Sequence, residues 1–122
     1  MSKIMIVEDE EFILGMYKLK FEQSGWEVVA SETGAGVFEL AKKEDPDIIL
    51  LDILLPDMTG YDVLEKLKAD AQTKNIPVII ASNLGQDEEI KKGVELGALD
   101  YITKSNITPS QLVEKIDSLI NK

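Results

Sequence analysis

The run Asp47-Ile48-Ile49-Leu50-Leu51-Asp52 decides how this chain folds. Four consecutive apolar residues without polar alternation read as a strand covered on both faces, since a strand with one wet face would alternate. Similar short runs recur at Ile4–Val7, Val28–Ala30, Val78–Ala81 and Tyr101–Ile102. Between them apolar residues return at helical spacing, as in Phe12, Met16 and Leu19, then Val63, Leu64 and Leu67, then Leu112, Val113, Ile116, Leu119 and Ile120, and each set is expected to give one helix its apolar stripe. Gly25 and Gly97 fall where helices should end, and Thr108-Pro109-Ser110-Gln111 joins an N-cap, a first-turn Pro and a capping-box Gln. Strict alternation of strand and helix implies parallel strands joined by right-handed crossovers. The expected fold is therefore α/β, a doubly wound five-stranded parallel sheet with helices on both faces.

At 122 residues the chain is long enough for one ordinary domain and too short for two, and with no linker or repeat inside it residues 1–122 read as a single domain. Asp and Glu total 23 against 13 Lys and Arg, a net charge of -10, which repels nucleic acid phosphates and anionic head groups. Neither nucleic acid nor a membrane is expected as a direct partner. The absence of Cys excludes disulfides and thiolate metal sites, and the absence of His removes the usual general base and transition-metal ligand. Chemistry must then come from carboxylates, hydroxyls, Lys and oxygen-loving cations. The only apolar stretch near the start, Ile4–Val7, is too short for a signal peptide or a membrane span, so a cytoplasmic location is expected.

Open α/β sheets bind ligands beyond the carboxyl ends of their strands, where the strand order reverses. The residues found there are Glu8, Asp9, Glu10 and Glu11 after the first run, Asp52 after the third, Ser82 after the fourth and Lys104 after the fifth. In the flavodoxin-like order 2-1-3-4-5 the first and third strands are neighbours, which brings Glu8, Asp9 and Asp52 into one cleft. Clustered carboxylates need a proton or a cation between them, and with oxygen ligands alone the natural cation is Mg²⁺. Lys104 adds a compact positive charge suited to a phosphoryl oxygen, and Ser82 adds a hydroxyl donor. A carboxylate nucleophile beside a metal, a cation and a donor is the set that stabilises a transferring phosphoryl group. Asp52, held directly at the end of a buried strand, is the expected nucleophile.

In the order Ile4-Met5-Ile6-Val7-Glu8-Asp9-Glu10, then Asp47 through Asp52 and Pro56 to Gly60, then Ser82, then Asp100-Tyr101-Ile102-Thr103-Lys104, the chain resembles a receiver domain of the two-component response regulators over essentially its whole length. The resemblance implies that Asp52 accepts a phosphoryl group from a sensor histidine kinase or a histidine phosphotransfer protein in a Mg²⁺-dependent reaction. It implies that Glu8 and Asp9 hold Mg²⁺ directly or through water, that the backbone carbonyl of Leu54 is a further ligand, and that Ser82 and Lys104 grip the phosphoryl group. It further implies a switch in which Ser82 moves toward that group and Tyr101 changes rotamer, remodelling the surface of the fourth helix, last strand and last helix for a downstream protein. Such a domain is a switch that assists its own phosphorylation and dephosphorylation, not an enzyme. The sequence leaves homodimerisation on phosphorylation open.

Two departures stand out. Ser105 follows Lys104 where the family carries Pro in a cis peptide, and Asn83 is bulkier than the small residue usual after Ser82. Apolar Leu54 and Leu84 are expected to flank the site and slow hydrolysis by excluding water. An aspartate-based phosphatase of the haloacid dehalogenase kind is disfavoured because Leu54 stands where that family needs a second Asp. The alternative reading is a receiver-like interaction module that works without phosphorylation.

Overall fold

The computed structural model describes residues 2–83 and 87–120. The elements are β1 (Lys3–Val7), α1 (Glu11–Gln23), β2 (Glu27–Ser31), α2 (Val37–Glu44), β3 (Ile48–Leu51), α3 (Gly60–Ala69), β4 (Val78–Ser82), α4 (Asp87–Glu95), β5 (Asp100–Thr103), a 3₁₀ turn (Lys104–Asn106) and α5 (Pro109–Ile120). The strands form one parallel sheet, as the alternation predicts, in the flavodoxin-like order β2-β1-β3-β4-β5.

Strand periodicity divides the core into two layers. Met5, Val7, Ile49, Leu51, Val78 and Ile80 face one way and pack with Val37 and Ala41 of α2 and Val63, Leu64 and Leu67 of α3. Ile4, Ile6, Ile48, Leu50, Ile79 and Ala81 face the other way and pack with Tyr17 and Phe21 of α1 and Leu112, Val113 and Ile116 of α5. The β3 run is buried throughout, as expected for a central strand. β2 is only half-buried because it is an edge strand with a neighbour on one side.

The local signals hold where they are local. Gly25 and Gly97 take φ of 90° and 107°, the left-handed conformations that end α1 and α4. Thr108 and Gln111 form a reciprocal capping box, the Gln111 amide N–H donating to Thr108 Oγ1 at 3.1 Å and the Thr108 N–H to Gln111 Oε1 at 2.9 Å.

The α1 stripe is a correction. Phe12, Met16 and Leu19 have the spacing of a core face, yet they are 83%, 39% and 58% exposed. Tyr17 and Phe21 are buried instead, with Ile13 and Leu14 half-buried beside them. The helix is apolar on two sides, and the sheet takes the side carrying the larger aromatics, where Phe21 meets Trp26 edge-on with ring centroids 5.6 Å apart.

Candidate functional site

Strand parity places the charged residues. Glu8 continues the series Ile4 and Ile6, Asp52 the series Ile48 and Leu50, and Lys104 follows Ile102, so all three emerge at the carboxyl rim on the α1/α5 side of the sheet. The ladder fixes them further. Asp52 N–H donates to Val7 O at 3.1 Å, and Glu8 N–H donates to Ser31 O at 3.0 Å, so Asp52 stands beside Glu8 across the β1/β3 pair.

Lys104 closes this group. Its Nζ donates to Glu8 Oε1 and, at 2.9 Å, to Asp52 Oδ2. The three side chains are nearly dry, 9% exposed for Lys104 and Asp52 and 2% for Glu8. Burial works against the Lys104 ammonium, but its hydrogen bonds with Glu8 and Asp52 and their charges outweigh that, and its pKa rises. Burial likewise pushes Glu8 up, opposed by Lys104 and by the Glu10 N–H that donates to Glu8 Oε2 at 3.1 Å. The Lys104–Ser105 peptide is trans. Lys104 opens the 3₁₀ turn, and its side chain still reaches both carboxylates, so the missing Pro does not remove Lys104 from the site.

Glu8, Asp9 and Asp52 each offer a ligand oxygen within 4.8 Å of the others. Asp9 is exposed while Glu8 and Asp52 are buried, so the trio opens to solvent on one side. Hard carboxylate oxygens with an open side fit a small divalent cation that keeps several waters. A cleft of about 250 Å³ lies above them, lined by Asp9, Glu10, Asp52, Leu54, Ser82, Asn83 and Lys104. Leu54, 61% exposed, is therefore at the site as expected, whereas Leu84 lies outside the described residues.

Ser82 and Tyr101 occupy the other side of the rim. Ser82 continues the series Val78 and Ile80, and Tyr101 packs against the same layer, so the two share the α3/α4 face. The Tyr101 phenol is pushed up to about 12, chiefly by burial and then by the neighbouring Tyr61, while a hydrogen bond with Ser82 acts the other way. Every sequence-predicted site residue that the structure describes is thus at one end of the sheet, split between an acid–lysine cluster and a Ser82–Tyr101 pair.

Two contacts at this end were not anticipated. Asp57 accepts from the N–H groups of Gly34 and Ala35, both at 2.8 Å, which ties the loop after Asp52 to the loop after β2 and lowers the Asp57 pKa. Tyr61 of α3 donates through its hydroxyl to Glu89 O of α4 at 3.1 Å. Neither has a local signal, because each joins residues more than 20 positions apart.

A sheet of this order, with carboxylates and a lysine converging at its carboxyl rim, has the architecture of a phosphoacceptor signalling domain, and the comparisons with known proteins agree. The sequence model of the response regulator receiver domain matches residues 4–117, and the chain belongs to that family. Among its relatives are the phosphate regulon transcriptional regulatory protein PhoB of Klebsiella pneumoniae, 36% identical over 98% of this chain and 52% of that protein, and protein PilH of Pseudomonas aeruginosa, 35% identical over 98% of each. The chain thus spans about half the length of the PhoB relatives. A CheY-like receiver domain protein from Methanospirillum hungatei superposes with a TM-score of 0.90 at 30% identity over 99% of this chain and 94% of that one. The BeF3-activated receiver domain of Klebsiella pneumoniae RstA does so at 0.89, 27% identity and 99% and 100% coverage. The domain is a signalling switch of two-component systems, of a family that binds Mg²⁺ in an acidic site and interacts with histidine kinases or phosphotransfer partners. No described helix is long and apolar enough to cross a membrane.

Proposed function

We propose that residues 1–122 form one receiver domain, working in the cytoplasm, in which Asp52 is the phosphoacceptor. The observation that carries this reading is the Lys104 ammonium bridging Glu8 and Asp52 beside an open acidic cleft. Glu8, Asp9 and Asp52 would hold Mg²⁺ together with the Leu54 carbonyl. When bound, the ion supplies charge neutralisation for the transferring group. Asp52 attacks phosphorus through a carboxylate oxygen; an acyl phosphate bond forms as the donor's bond to phosphorus breaks, and the electron pair leaves with the donor. Lys104 then offers its N–H donors to a phosphoryl oxygen, and Ser82 its hydroxyl to another, so the charge is met by fixed groups.

Incubation with acetyl phosphate and Mg²⁺ is expected to add one phosphoryl group to the intact mass, and Asp52→Asn to abolish the gain. An unmodified wild-type chain would instead favour the phosphorylation-independent interaction module.

Residues 1–122 hold no His that could carry the phosphoryl group, so it comes from outside this domain, and the donor in this reading is a histidine kinase or phosphotransfer protein, as for the family. The exposed Phe12, Met16 and Leu19 support contact through α1, because Met16 also lines an opening with Lys104, Asn83 and Ile107 at the edge of the site. Phe12→Asp is expected to slow transfer from a phosphohistidine protein about tenfold, the rough worth of one lost apolar anchor. Its modification by acetyl phosphate should stay unchanged; equal slowing with both donors would rule out docking at this face. Output passes through the β5, α4 and α5 surface to a downstream protein, with homodimerisation on phosphorylation as one form that output can take.

A further inference from the structure

Glu89 Oε2 is buried and has no hydrogen-bond partner, alone in this among the side-chain oxygens and nitrogens of the described residues. A buried acceptor left unpaired is costly, so its position calls for a reason. Glu89 lies near the start of α4, at the same end of the sheet as Ser82. One turn further along, Gly93 brings α4 hard against β4 and β5: a Cβ there would stand 2.6 Å from Ile80 Cδ1 and 3.5 Å from Tyr101 Cδ2. Residues four apart share a helix face, so Glu89 lies on the face that Gly93 turns to Tyr101, one turn nearer the rim, where it also lines a cavity with Tyr61 and Leu54.

Two further contacts tie α4 to Tyr61 beside Glu89. The Tyr61 hydroxyl donates to the Glu89 backbone carbonyl at 3.1 Å, and the Lys92 ammonium lies 4.5 Å from the Tyr61 ring centroid. Tyr61 is thereby committed, and its hydroxyl hydrogen is spent. The charge of Glu89 is nevertheless felt by both phenols, Tyr61 and Tyr101. Tyr101 at present shares a hydrogen bond with Ser82.

We propose that Glu89 is the acceptor that captures the Tyr101 hydroxyl once Ser82 turns to the phosphoryl group, making it a positioning residue for the switched state. This rests on the reading of Ser82 and Tyr101 as the switch pair. In the unphosphorylated state Tyr101 is paired with Ser82 and Glu89 waits unpaired. In the phosphorylated state Ser82 is paired with the phosphoryl group and Tyr101 with Glu89, so the exchange leaves no buried group unpaired. Glu89 thus stabilises only the second state, and a group that binds one state alone shifts the equilibrium toward it.

The test uses the full chain with Mg²⁺ and beryllofluoride as the phosphoryl mimic, its affinity read by calorimetry. Glu89→Ala is expected to weaken beryllofluoride binding about tenfold, as loss of a hydrogen bond to a charged group does. Tyr101→Phe should weaken it similarly, the double variant no further than either alone, and Glu89→Gln, which keeps an acceptor oxygen, should restore most of the affinity. Melting of the unliganded Glu89→Ala protein should not fall, because the contact is absent in that state; a residue that merely holds the fold would lower both. Independent, multiplying losses in the double variant, or unchanged affinity in Glu89→Ala, would overturn the assignment. A wild-type chain that neither binds beryllofluoride nor gains a phosphoryl group removes the receiver switch itself, and the proposal with it.

Discussion

Lys104→Met is expected to destabilise the unliganded domain by about 3–5 kcal/mol, the usual cost of removing one partner from a buried ion pair. Lys104 is the one cation paired with Glu8 and Asp52 among the described residues, and both carboxylates are almost dry. Met keeps the length and apolar stem, so the loss reports charge, not volume. The pH dependence has a definite sign. Because the Lys104 pKa is raised, its contribution is fully present below the ordinary value of 10.5 and is lost as pH rises through the higher folded value. At the acid end Glu8, whose pKa is also raised, takes a proton and the pairing ends there too. The difference between wild type and Lys104→Met should therefore be widest at neutral pH. Without the ammonium, the carboxylates hold a divalent cation more tightly, so MgCl₂ should raise the melting temperature of the variant more than that of the wild type. Modification by acetyl phosphate should slow roughly 100-fold, as removal of one charge-stabilising donor does. Equal melting curves in EDTA would mean that Lys104 is a spectator.

Gly60→Ala is the second large effect. A Cβ at Gly60 would lie 2.3 Å from Asp52 O and 2.8 Å from Ile53 Cα, and these are backbone atoms that cannot swing aside. The Gly60 N–H also donates to Ile53 O at 2.7 Å, so the start of α3 and the residues after β3 are locked together. Overpacking of this kind costs about 1–3 kcal/mol. Because the carbonyl pushed away is that of the acceptor itself, acetyl phosphate modification should fall along with the denaturation midpoint. Gly15→Ala supplies the control: nothing lies within 4 Å of its added Cβ, and in the middle of α1 it should stabilise by about 0.5–1 kcal/mol. If both variants melt alike, the close approach at Gly60 is not a constraint.

The acid–lysine cluster was legible because strand ends are a local signal: Glu8, Asp9, Asp52 and Lys104 each stand at the end of a short apolar run, and an order that makes the first and third strands neighbours gathers them at one end of the sheet. The capping box of α5 was legible for the same reason, with its partners three residues apart. What could not be read was which of two apolar faces α1 would turn inward. The spacing of Phe12, Met16 and Leu19 is as regular as any core stripe, and only docking onto the sheet decides that Tyr17 and Phe21 go in. The bonds of Asp57 to the Gly34–Ala35 loop and of Tyr61 to Glu89 were invisible too, because each depends on two elements that meet only in the finished fold. The Lys104–Ser105 position shows the reverse: the sequence marks it as a departure, yet the side chain reaches the same carboxylates.

The outward stripe of α1 also sets the thermodynamic character of any contact made there. Phe12 and Leu19 are largely hydrated in a chain that carries a net charge of -10. A partner that covers them gains from water released off apolar surface, so association should carry a negative heat-capacity change. The surrounding charge answers to ionic strength while the stripe does not. Added salt and a Phe12 substitution are therefore separate handles, one moving chiefly the rate of encounter and the other the lifetime of the complex.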